Sequence, residues 1–95
     1  MSILVVGGDR LGKIPNKLDS VGFDKIMHIS GRKKSQVNWK LPVQTDLVLV
    51  LTDYVSHNLS DAMKAKAKSK DIPILFSRRA WSSIYKTLDF TGFLK

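Results

Sequence analysis

Ninety-five residues with 43% hydrophobic and 25% charged side chains suit one globular domain with a single modest core, and they exclude a two-domain enzyme. Sixteen Lys and Arg stand against eight Asp and no Glu, a formal charge of +8, so the expected partner is a polyanion or a phosphate-bearing ligand. With no cysteine there is no disulfide, no thiolate zinc centre and no cysteine nucleophile, in keeping with a reducing cytoplasm; no apolar run approaches the roughly 20 residues that cross a bilayer, and no signal peptide is visible.

Ile3-Leu4-Val5-Val6 followed by Gly7-Gly8 predicts a strand buried on both faces that closes in a tight turn. Leu11, Ile14, Leu18 and Val21 recur at helical spacing, with Pro15 tolerated in a first turn and Gly22 at the C′ position. Lys25 to Ile29 predicts a second strand. Leu47 to Leu51 predicts a third, whose unbroken apolarity belongs at the sheet centre. A helix capped at Asn58 and running to about Lys70 comes next, then a strand over Ile72 to Phe76 with Pro73 near its start. Trp81, Ile84, Tyr85 and Leu88 form the clearest amphipathic stripe.

Strands alternating with helices at this pitch predict an α/β fold spanning residues 1–95: a small Rossmann-like or flavodoxin-like domain. Its sheet has four parallel strands in the order 2-1-3-4, with helices on both faces. The connection from Ser30 to Asp46 carries no convincing helical stripe, and loops of that length usually serve function.

Ligands of open parallel sheets bind outside the carboxyl ends of the strands. Here those ends read Gly7-Gly8-Asp9-Arg10, Ser30-Gly31-Arg32-Lys33-Lys34, Thr52-Asp53-Tyr54 and Ser77-Arg78-Arg79. Arg78 and Arg79 fall at the start of the last helix, where the macrodipole disfavours cations by roughly 0.3–1 kcal/mol, and a bound phosphate is the offsetting candidate. Lys64, Lys66, Lys68 and Lys70 splay over two helix faces near the opposite edge and read as a solvated surface. The spacing GGxxxG from Gly7 to Gly12 departs from the dinucleotide pattern GxGxxG, and no catalytic domain accompanies it, so a dehydrogenase is not expected.

Asp9 and Asp53 end neighbouring strands and offer two carboxylates to a Mg²⁺ ion, although aspartates at such positions more often cap turns. His57 lies four residues beyond Asp53 without an evident nucleophile, and His28, inside an apolar strand, reads as a satisfied core residue. No catalytic residue and no cofactor is expected. Trp39, interleaved with cations, is a candidate for stacking on a base, with Val37, Trp39 and Leu41 pinning the loop as the alternative; Tyr54 is a second stacking candidate. Trp81 reads as core.

Four segments, SILVVGGDRLGKIP, GFDKIMHISGRKK, TDLVLVLTDYVSHN and IPILFSRRAWSSIY, resemble a small bacterial and phage family known as domain of unknown function 2325. The motifs that carry the resemblance are Gly7-Gly8-Asp9-Arg10, Gly31-Arg32, Thr52-Asp53-Tyr54 with His57-Asn58, and Ser77-Arg78-Arg79. The resemblance implies a Rossmann-like fold and assigns no activity. Function therefore rests on charge. The leading expectation is a nucleic-acid-binding module without sequence specificity, gripping phosphates with Arg10, Arg32, Lys33, Lys34, Arg78 and Arg79. The alternatives are a nucleotide or dinucleotide pocket over Gly7-Gly8, with Tyr54 stacking on the base, and a Mg²⁺-dependent nuclease or phosphatase using Asp9 and Asp53. The apolar tail Phe90 to Leu94 is expected to be exposed and to supply a homodimer contact.

Overall fold

Ile3 to Val6 and Leu47 to Leu51 are fully buried, and the computed structural model, which describes residues 1–30 and 41–94, shows why. They form β1 (Ser2–Val6) and β3 (Leu47–Leu51), the two inner strands of a parallel sheet. β2 (Lys25–Ile29) pairs with the outer side of β1, and β4 (Ile74–Ser77) with the outer side of β3. Among the described residues the sheet has four strands in the order β2-β1-β3-β4, as the strand and helix alternation predicts. The fold is a small Rossmann-like α/β domain.

Strand side chains alternate between the two faces. Ile3, Val5, Leu47, Leu49 and Leu51 pack with Ile14 and Leu18 of α1 (Ile14–Ser20) and with Ile84 and Leu88 of α3 (Trp81–Phe90). On the other face Leu4, Val6, Val48 and Val50 meet Leu59, Met63 and Ala67 of α2 (His57–Ser69). α1 and α3 therefore lie side by side on one face, and both begin at the edge where the strands end.

α1, α2 and α3 stop in the same way. Phe23 N–H donates to Leu18 O at 3.1 Å and Gly22 N–H to Asp19 O at 3.2 Å, and Phe93 and Gly92 repeat the pair on Leu88 and Asp89 at 2.9 and 3.2 Å. This is the Schellman arrangement, which needs a left-handed C′ residue. Gly22 and Gly92 supply it, and at the end of α2 the same conformation is taken by Asp71, with φ 54°.

Several local expectations change. The N-cap of α2 lies two residues before Asn58: it is Ser56, whose hydroxyl accepts from Leu59 N–H at 3.2 Å. β4 begins at Ile74 rather than Ile72, because Ile72 N–H is already bonded to Ala67 O at 2.9 Å in the turn closing α2. His28 is exposed instead of buried in the core, since β2 lies at the sheet edge; its Nε2 is 3.0 Å from Gly7 O. Phe90 closes α3 and is exposed, while Phe93 and Leu94 fold back against the α1 and α3 core after Gly92 reverses the chain. The expected dimer patch thus shrinks to Phe90. Leu41 is buried in the cluster beneath α2; Val37 and Trp39, the other residues of that reading, lie outside the described residues.

Candidate functional site

Arg79 is the hub of the carboxyl edge. Its backbone N–H donates to Asp53 Oδ1 at 3.1 Å, which ties the turn after β4 to the turn after β3. Its guanidinium donates from Nε to Arg10 O at 3.1 Å, and an Nη2 N–H of the same fork reaches the same carbonyl, so the turn after β1 is tied in too. Thr52 Oγ1 adds a bond to Ser77 O at 3.3 Å. One side chain and one amide thus hold three loops in fixed relation. A guanidinium carries five N–H groups, so part of the fork remains for an anion.

Gly7 and Gly8 are both buried, and the reason for glycine differs between them. A Cβ on Gly7, at φ +112°, would lie 2.8 Å from Val55 Cγ1 and 3.1 Å from Leu51 O. Gly7 N–H also bonds Ile29 O at 2.8 Å. This glycine is required by packing against the end of β3 and Val55. At Gly8 a Cβ would meet nothing nearer than Arg79 Nε at 3.9 Å, and only its φ of +83° demands glycine.

Arg10 and Arg78 are exposed on this edge, as are Asp9 and Tyr54. Arg32, Lys33, Lys34 and Trp39 lie outside the described residues. Lys64 and Lys70, by contrast, serve α2's own surroundings: Lys64 Nζ lies 5.5 Å from the Phe76 ring centroid, and Lys70 Nζ donates to Leu41 O at 3.1 Å. With one Asp53 oxygen engaged by the Arg79 amide, that carboxylate acts as the cap of the β4–α3 turn. Among the described residues no three His, Cys, Asp or Glu side chains are grouped to hold a metal ion.

Between the starts of α1 and α3 opens a cleft of about 210 Å³, lined by residues 11–14, Lys17 and residues 79–81. Lys17 Nζ sits 5.8 Å from the Trp81 ring centroid. Trp81 is half-buried and packs on the α1 and α3 core, as its place in the apolar stripe predicts, yet part of it borders this cleft. Lys13 and Lys17 were not among the expected site residues. Their i, i+4 spacing was the available signal, because it puts both on one side of α1. That this side faces the start of α3 follows only from the packing.

A family model described as "Uncharacterized protein conserved in bacteria (DUF2325)" matches residues 2–90. The chain belongs to this family. The match takes in every strand-end loop described above and the cleft between α1 and α3. No curated protein and no solved structure matches the chain. Among the described residues no helix is long and apolar enough to cross a membrane.

Proposed function

We propose that the protein is a nucleic-acid-binding module without sequence specificity that grips phosphates at the carboxyl edge of its sheet. One observation carries the reading: in a chain of net charge +8, parallel topology gathers Arg10, Lys13, Arg78 and Arg79 on one edge, where Arg79 braces the loops. A cluster of cations on a rigid frame suits a phosphate backbone, whose affinity comes mainly from counterion release. The same chemistry would accept a small phosphorylated ligand.

The test is a salt titration of binding to fluorescent oligonucleotides. If Arg10, Arg32, Lys33, Lys34, Arg78 and Arg79 each neutralise one phosphate, log K against log salt falls with a slope of about −4 on single strands and about −5 on duplex. Replacing Arg10 and Arg78 by alanine flattens the single-strand slope by about 1.4, since each lost contact removes about 0.7. Replacing Lys64 and Lys68 removes the same charge from α2 and leaves the slope unchanged. Equal effects from the two pairs would mean a diffuse field with no localised edge. Failure to bind either oligonucleotide even at about 50 mM salt, where counterion release is most favourable, overturns the reading and assigns the edge to a small phosphorylated ligand.

A further inference from the structure

The cleft between α1 and α3 adds an aromatic surface to the cationic edge, and resting on the reading above we infer that it receives one unstacked base, so that the protein prefers single-stranded nucleic acid to duplex. Trp81 is half-buried, and its ring is held by packing on the α1 and α3 core and by an edge-on contact with Tyr85, the centroids 6.0 Å apart at 62°. A ring fixed in advance loses little entropy when a base stacks on it. In the free protein Lys17 Nζ lies 5.8 Å from that ring's centroid. An ammonium there is a weak, exchangeable cover, because an exposed cation–π contact contributes only about 0.5–1 kcal/mol. A nucleotide offers both groups a better partner: the base takes the ring, and the adjoining phosphate takes the ammonium.

Size and surroundings narrow the occupant. At about 210 Å³ the cleft is smaller than the roughly 300–1,000 Å³ typical of pockets that envelop whole small-molecule ligands. It fits a fragment of a longer molecule whose remainder lies outside. Arg79, with part of its fork uncommitted, and Lys13 border the same opening. The chain of phosphates can therefore continue from the cleft toward Arg10 and Arg78. Duplex DNA keeps its bases stacked inside and cannot present one to Trp81 without the cost of unstacking it.

The experiment compares a labelled single-stranded oligothymidylate with a labelled duplex of equal length at one salt concentration. Trp81→Leu keeps apolar bulk on the core and removes the stacking ring. It weakens single-strand binding by about 5- to 150-fold, the range for one lost base–aromatic stack. Duplex affinity and both salt slopes stay as in the wild type, because no charge is lost. Trp81→Phe, which keeps a ring, falls between the two on single strands alone, and it reads the same effect should the leucine variant melt early. Equal loss on duplex and single strand, or no loss on either, overturns base stacking while the cationic edge stands. A wild-type protein that binds neither probe overturns both readings.

Discussion

Alanine at Gly7 and alanine at Gly8 separate backbone strain from steric crowding at adjacent positions. Both residues have positive φ, +112° and +83°, so both substitutions force an L-residue into a region that costs about 1–3 kcal/mol. Both also gain about 0.4–1 kcal/mol from a stiffer unfolded chain. Only at Gly7 does the new methyl collide, 2.8 Å from Val55 Cγ1 and 3.1 Å from Leu51 O. The carbonyl belongs to a fully buried central strand and cannot withdraw, so overpacking of about 1–3 kcal/mol is added. Gly7→Ala is therefore expected to be less stable than Gly8→Ala by about 1–3 kcal/mol, a large part of the roughly 5–15 kcal/mol available to such a domain. Thermal unfolding followed by circular dichroism resolves this, since about 1 kcal/mol moves the midpoint of a domain this size by roughly 4–8 °C. Equal midpoints for the two variants would refute the claim that the first glycine is there to pack against β3.

Asp71 holds the left-handed C′ position of α2 at φ 54°. Asp71→Gly relieves about 1–2 kcal/mol of steric cost and gives back about 0.4–1 kcal/mol in unfolded-state entropy, so chemical denaturation should show a net gain of up to about 1.6 kcal/mol; a loss would refute the strain argument. In the tail, Phe93→Ser should lower the melting temperature while Phe90→Ser leaves it unchanged, because Phe93 packs on the core and Phe90 is 91% exposed; a reversed order would mean the tail does not fold back. The Asp24 carboxyl is held below the ordinary carboxylate range by the hydrogen bond from the Met1 ammonium at 2.8 Å. Its share of stability is complete above the unfolded carboxylate value and disappears as pH falls through the lower folded one. A carboxyl NMR titration should place its midpoint below that of an unperturbed Asp, and an ordinary midpoint would refute the ion pair.

The order of strands and helices, the central placement of β1 and β3, and the gathering of cations after the strands were all legible in the residues. Unbroken runs such as Leu47 to Leu51 can be satisfied only by burial on both faces, and parallel crossovers then leave few topologies. Local hydrogen bonding decided what periodicity could not: of the two residues suited to capping α2, Ser56 rather than Asn58 takes the Leu59 amide, and the turn closing α2 took the amide of Ile72 away from β4. The candidate site divides in the same way. Arg10, Arg78 and Tyr54 could be placed at the carboxyl edge from the chain alone, since strand-end position is a property of sequence order. That Arg79 bonds Arg10 O across 69 residues of chain, that Gly7 is filled against Val55, and that Lys17 reaches Trp81 are contacts between residues distant in sequence. No periodicity within one element encodes such contacts; the packing of α1 beside α3 on one sheet face creates them.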